Sequence, residues 1–237
     1  MPHHEPSPCA FAGSGNEFVF NDMYAPAGAR DERLRAIAKR GSDIILASML
    51  IVFLLPLMLG IALILWVNDP GSVIYRHKRI GRDGVPFDCL KFRTMVLDAD
   101  RVLEDLLRRC PEARAEWEQS RKLRDDPRIV GWIGAMLRRT SLDELPQLVN
   151  VLRGEMSLVG PRPVTREELS MYGSNVAHYL ATTPGLTGPW QVSGRSDMTF
   201  DERVRIDVEY ALNRTFMRDL AILFRTAFVV VARRGAY

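Results

Sequence analysis

From Ile44 to Val67 the chain runs for 24 residues without a charged side chain. As a helix, at roughly 1.5 Å per residue, this run would extend about 36 Å, enough to cross a hydrocarbon core of about 30 Å. A core helix of a water-soluble domain keeps a polar face over such a length, and this run has none, so we read it as membrane-associated. Both of its flanks are basic: Arg33, Arg35, Lys39 and Arg40 come before it, and Arg76, His77, Lys78, Arg79 and Arg82 after it. Lys and Arg mark the cytoplasmic side of a span, and a crossing helix shows that bias on one flank only. Pro56 sits mid-run with Gly60 one turn on, and a proline inside a helix removes a hydrogen bond. The pattern predicts a re-entrant helix-break-helix, kinked at Pro56, that dips into one leaflet and returns. A kinked helix that spans the bilayer is the alternative.

The remainder reads as a folded body. Its net charge is +3, from 32 basic and 29 acidic residues, which gives no argument for nucleic acid as a partner. Cys9, Cys89 and Cys110 are odd in number and show no C-x-x-C spacing, which excludes a disulfide framework or a zinc site and fits a reducing cytosol. Residues 1–29, rich in Pro, Gly, Ser and Ala, are expected to be a disordered leader, and they lack the pattern of a secretory signal. Residues 30–70 form a basic amphipathic lead-in and the membrane helix, and 71–237 form the main domain. The fold class expected is mainly α with a small β-hairpin, built from Ser72–Tyr75 and Val85–Met95 around the turn Gly81-Arg82-Asp83-Gly84.

Residues 98–128 are dense in charge of both signs, with Glu104/Arg108 and Asp105/Arg109 at i,i+4, and are expected to be a solvated helical insertion divided by Pro111. Val164–Leu180 reads as helix and Thr182–Arg195 as an ordered loop. Thr199 and Glu202 have the spacing of a capping box that opens a helix through about Leu212. At the C-terminus Leu220, Leu223, Phe224, Ala227, Phe228 and Val231 share one helical face while Arg218 and Arg225 share another. That pattern suits an interfacial amphipathic helix or one facing a core.

The chemistry concentrates in Leu137–Pro163, LRRTSLDELPQLVNVLRGEMSLVGPRP. Two accounts of Ser141-Leu-Asp143-Glu144 stand side by side. In one, Ser141 caps a helix and Glu144 completes a capping box, although Asp143 is then unexplained and Pro146 would break that helix early. In the other, a carboxylate in a first helical turn is held ionised and nucleophilic by the helix dipole. Adjacent helical residues diverge by about 100°, so Asp143 and Glu144 would then take different roles. Two carboxylates beside a phosphate need counter-charge, which Lys91, Arg93, Arg138 and Arg162 could supply; Arg162 is held between Pro161 and Pro163. Neither a Walker loop nor a GxGxxG fingerprint occurs, which argues against an ATPase or a dinucleotide-binding enzyme.

Three stretches, KFRTM at Lys91–Met95, the run Leu137–Pro163 and PGLTGPWQVSGR at Pro184–Arg195, resemble the bacterial sugar transferase family. These are monotopic polyprenyl-phosphate hexose-1-phosphate transferases, also called phosphoglycosyl transferases, and the similarity runs from about Arg35 to the C-terminus. The resemblance implies a ping-pong phosphoryl transfer on the cytoplasmic face of the bacterial inner membrane, as the first step of exopolysaccharide or related glycan assembly. Asp143 would attack the sugar-proximal phosphate of a UDP-sugar, UMP would leave, and undecaprenyl phosphate would take up the sugar phosphate. Glu144 matches the second carboxylate of the dyad, and Mg²⁺ is expected beside Asp143. Lys91, Arg93, Arg138, Arg162 and Arg195 are the expected substrate-binding residues. Where many relatives place Ser before the kink proline, this chain has Leu55. The length suits the minimal catalytic unit, to which larger members add spanning helices.

The sugar is not legible, and galactose or glucose is the expectation. The expected partners are the UDP-sugar, undecaprenyl phosphate and the lipid bilayer, and a membrane-bound homodimer is compatible with the chain. Two rival readings remain: a hydrolase using Asp143 with water as acceptor, and a membrane-anchored scaffold of a polysaccharide assembly complex.

Overall fold

The computed structural model describes residues 29–120, 123, 126–193 and 198–231; the leader expected over 1–29 lies, but for its last residue, outside them. Helix α1 is Ala29–Asn68, and among the described residues it alone is long and apolar enough to cross a membrane. Its part up to Lys39 belongs to a separate unit, where Leu34 and Ile37 are exposed. The break expected at Pro56 does not occur, because α1 stays helical through it. Proline's fixed φ lies close to the helical value, so it costs one hydrogen bond without obliging a helix with long apolar flanks to end.

From Asp43 onward the better-covered positions of α1 recur every three or four residues: Asp43, Ala47, Ile51, Leu54, Met58, Ile61 and Leu65. This is a single helical stripe, and it rests on the folded body along its length. Ala47 joins a core with Phe87, Leu148, Val151, Met156 and Tyr210, while Ile61 and Leu65 join another with Phe92, Ile133 and Leu137. Two polar side chains pin the stripe. Arg40 donates to the carbonyls of Val151 (2.6 Å) and Leu152 (2.8 Å), and the Asp43 carboxylate accepts from Ser157 Oγ (2.7 Å) and the Leu158 N–H (3.1 Å). The other faces of α1 are apolar and open: Phe53 is 80% exposed and Val52 74%.

Strands β1 (Ile74–Ile80) and β2 (Pro86–Phe92) form the expected hairpin, with Tyr75 opposite Lys91, His77 opposite Cys89 and Arg79 opposite Phe87. It extends further than expected, through Arg76–Arg79, because one face lies in solvent and tolerates charge; there Lys78 pairs with Asp88 at 2.8 Å. The charged insertion consists of α2 (Ala99–Arg109) and α3 (Pro111–Ser120). Helix α4 (Gly131–Thr140) leads into a 3-10 turn at Leu142–Glu144 and then α5 (Gln147–Arg153).

A second sheet was not expected: β3 (Ser157–Val159) pairs in parallel with β4 (Gly185–Thr187) inside two Gly/Pro-rich stretches. The backbones meet at Gly160 and Gly185. A Cβ on Gly160 would stand 2.4 Å from the Thr183 carbonyl oxygen, and one on Gly185 only 2.1 Å from the Gly160 nitrogen, so glycine alone permits this approach.

The stretch expected as one helix over Val164–Leu180 is instead α6 (Arg166–Ser170), a 3-10 turn at Gly173–Asn175 and α7 (Val176–Leu180). The expected loop at Thr182–Arg195 holds α8 (Pro189–Ser193) as well as β4. Thr199 and Glu202 make both bonds of a capping box and open α9 (Phe200–Asn213). Helix α10 (Phe216–Val231) buries Asp219 and Ile222 and leaves Phe216, Met217, Phe224 and Phe228 exposed.

Candidate active site

Lys91 is placed by the hairpin and by Asn150. This asparagine on α5 is fully buried; its Oδ1 accepts from the Leu90 N–H (3.0 Å), and its Nδ2 donates to the Asp88 carbonyl (2.7 Å) and to Glu155 (2.6 Å). It thereby takes the place of a third strand beside β2 and fixes α5 against it. The neighbouring Lys91 side chain donates to Glu144 Oε1 at 2.6 Å.

The turn carrying the two carboxylates is set by Ser141, which takes the left-handed conformation (φ 57°) between α4 and the 3-10 turn. Its side chain makes no cap, so the capping-box account of Ser141 and Glu144 does not hold and Glu144 turns to Lys91 instead. Asp143 is half-buried beside this pair. Burial pushes its carboxyl up to about 6, with Glu144 adding to the rise and Lys91 and Arg138 pulling it down.

Arg162 arrives from the segment after β3. Ile80 pairs with Val164 (N–H to carbonyl, 2.9 Å), and the Tyr179 hydroxyl accepts from the Val164 N–H (3.1 Å) while donating to the Ile80 carbonyl (2.8 Å). Glu168 caps α6 through Thr165 and also accepts from Arg79 at 2.7 Å. Trp190 lies beneath Arg162, its ring centroid 6.0 Å from that guanidinium and 4.8 Å from that of Arg203.

One pocket collects these groups: Arg79, Lys91, Glu144 and Arg162 on its wall, with Cys89, Gln147 and Gln191 between them. Four separated segments thus bring three cations and a carboxylate together, a composition suited to phosphate oxygens. Asp143 does not line this pocket; it precedes Glu144, which does, and is close enough to Lys91 and Glu144 to feel both charges. Arg138 acts on Asp143 through its charge.

Arg93 departs from expectation. It is buried, pairs with Asp69 Oδ2 at 3.2 Å and donates to the Asp69 carbonyl, so its guanidinium is committed to the segment that ends α1. Alternation along β2 explains this, since Lys91 and Arg93 flank Phe92 but the chain leaves the strand after it. Arg195 lies outside the described residues.

Arg79, Gln147 and Asn150 escaped the sequence reading. Strand pairing could have found Arg79, which shares the hairpin face of Cys89 and Lys91; read in sequence it was one more basic flank residue. The Cys89 thiol is pushed up to about 11 by burial and is no nucleophile at neutral pH. Burial, with Arg79 and Lys91 nearby, holds His77 below the usual histidine range.

Residues 34–233 match the family model described as bacterial sugar transferase. The chain belongs to the bacterial sugar transferase family. It is 49% identical over 201 residues to the exopolysaccharide production protein ExoY of Rhizobium meliloti, a match covering 85% of this chain and 88% of that one. It is 50% identical over 209 residues to the undecaprenyl-phosphate galactose phosphotransferase of Salmonella typhimurium, covering 87% of this chain and 43% of the relative. With the UDP-glucose:undecaprenyl-phosphate glucose-1-phosphate transferase of Escherichia coli the identity is 35% over 210 residues, covering 85% and 42%. The chain therefore spans less than half of the Salmonella and E. coli proteins and most of ExoY.

Proposed function

We propose that this protein transfers a hexose 1-phosphate, galactose or glucose, from a UDP-sugar to undecaprenyl phosphate as the first step of exopolysaccharide or related glycan assembly. The observation that carries the reading is the convergence of Lys91, Glu144, Arg79 and Arg162 on one pocket, with Asp143 next to Glu144 in the chain and within the field of Lys91.

In the first half-reaction an Asp143 oxygen attacks the sugar-proximal phosphorus, the bond from that phosphorus to the UMP oxygen breaks, and UMP leaves with the electron pair. An aspartyl sugar phosphate remains. In the second, an oxygen of undecaprenyl phosphate attacks the same phosphorus, the bond to Asp143 breaks, the carboxylate is restored, and a diphosphate-linked lipid sugar departs. Lys91 and Arg162 neutralise the phosphoryl oxygens, and Glu144 orients Lys91 through their ion pair.

The donor set suits Mg²⁺. Among the described residues no three His, Cys, Asp or Glu gather into a protein-only cage, and Mg²⁺ is characteristically held by one or two carboxylates plus substrate phosphates. Asp143 would hold it, and when bound it would offset phosphate charge beside the nucleophile.

The acceptor's phosphate lies at head-group level, which asks for a nucleophile at that depth. The stripe of α1 supports a monotopic placement: positions on both sides of Pro56 rest on the same body, while the remaining faces are apolar and open. A helix crossing the bilayer would carry that body into the hydrocarbon. The exposed Phe216, Met217, Phe224 and Phe228 of α10 fit an interfacial surface at the cytoplasmic face of the inner membrane.

UMP release from UDP-galactose and UDP-glucose by detergent-solubilised protein, with and without undecaprenyl phosphate and Mg²⁺, tests the reading. Asp143→Asn is expected to abolish release, a loss of at least about a thousandfold, while the wild type accumulates a covalent adduct visible by intact mass. Turnover that survives in Asp143→Asn removes the mechanism.

A further inference from the structure

Gln147 is the first residue of α5, it is 2% exposed, and it lines the candidate pocket. Its side-chain amide makes no hydrogen bond to any described residue, although Asn150 one turn on satisfies its own amide with three. Buried amides go unpaired rarely, and one facing a pocket is completed by what the pocket binds.

Leu145 and Pro146 keep right-handed helical backbone between the Leu142–Glu144 turn and α5. Gln147 therefore follows Asp143 and Glu144 by about one turn on the same side. In an in-line displacement the leaving nucleotide lies across the phosphorus from the nucleophile, so a group one turn from Asp143 neighbours the phosphoryl group and the sugar rather than the uracil. Phosphate oxygens only accept hydrogen bonds, and Lys91, Arg79 and Arg162 already face them with charge. A neutral amide both donates and accepts, as a sugar hydroxyl does.

We propose that the Gln147 amide binds a hydroxyl of the transferred sugar and contributes to the choice between epimeric nucleotide sugars. The inference rests on the transferase reading above. Its test is equilibrium binding in an Asp143→Asn background, where turnover does not interfere, with UDP-galactose, UDP-glucose and UDP as the three probes. Adding Gln147→Met, which keeps the volume and removes the amide, is expected to weaken the better-bound nucleotide sugar roughly five- to tenfold while UDP affinity changes less than twofold. The gap between the two epimers should shrink in parallel. Gln147→Leu, uncharged and likewise without the amide, serves as the second variant should the Met form fail to fold, and is expected to show the same selective loss. Equal weakening of UDP and UDP-sugar, or no change in either, overturns the assignment. Full turnover by Asp143→Asn would instead overturn the transferase reading itself.

Discussion

Asp207 on α9 is buried and accepts from the Tyr172 hydroxyl at 2.9 Å. Burial pushes its carboxyl up to about 7, while Tyr172 and Trp190 pull it down by hydrogen bonding. Its ordinary value is near 3.8, so the unfolded chain releases this proton first. The folded state is therefore penalised above about pH 4, progressively, and fully above about pH 7. Asp207→Asn titrates nothing in this window. The melting temperature of the variant relative to wild type is expected to rise by several degrees between pH 5 and pH 8, at about 2–4 °C per kcal/mol for a chain of this size. A difference that does not change with pH would show that Asp207 is ionised in the fold at both values. The Gln147 and Asp143 variants belong to this same scale, since each removes one functional group and leaves its element standing.

At the scale of elements, α1 is held by polar pins as well as by its apolar stripe. Asp43 satisfies Ser157 Oγ and the Leu158 N–H at the start of β3, the strand that precedes Gly160 and the Arg162 segment. Asp43→Ala leaves the buried Leu158 N–H without its partner, while Ser157 Oγ keeps its bonds with Val159, and is expected to cost about 1–3 kcal/mol, read as a lowered midpoint in thermal unfolding in detergent. Asp43→Asn, which keeps an acceptor for the Leu158 N–H, should recover part of that loss. Equal stability of Asp43→Ala and wild type would mean that the apolar stripe alone docks the helix.

For the whole molecule, the placement of α1 decides the topology. Both halves of the apolar run rest on one body, and the monotopic placement proposed above then requires its two flanks to lie on one side of the membrane. Single cysteines at Gly41 and Ser72, in a chain whose own three cysteines are replaced, are expected to react with an impermeant thiol reagent from the cytoplasmic side only. Labelling of one flank from each side would establish a spanning helix. A 40-residue helix is about 60 Å long. In a spanning arrangement the stripe from Asp43 to Leu65 would meet lipid instead of Phe87, Phe92 and Leu137.

Much was legible in the sequence wherever a local rule governs. The uncharged run predicts α1, Gly81-Arg82-Asp83-Gly84 predicts the hairpin, and Thr199 with Glu202 predicts the start of α9, since each signal acts over a few neighbouring residues. Three stretches in order carried the family resemblance and drew attention to Asp143, Glu144, Lys91 and Arg162. Tertiary structure decided what each side chain does. Ser141 and Glu144 have capping-box spacing, yet Lys91, 53 positions away along the chain, takes Glu144. Lys91 and Arg93 look interchangeable in KFRTM, but one enters the pocket and the other closes on Asp69. The parallel pairing of β3 with β4 and the roles of Arg79, Asn150 and Gln147 depend on partners distant in sequence. Pro56 could stay inside a continuous helix because the body beneath supports one face of it. Local propensity determined which elements form; burial and pairing between distant segments decided which functional groups meet.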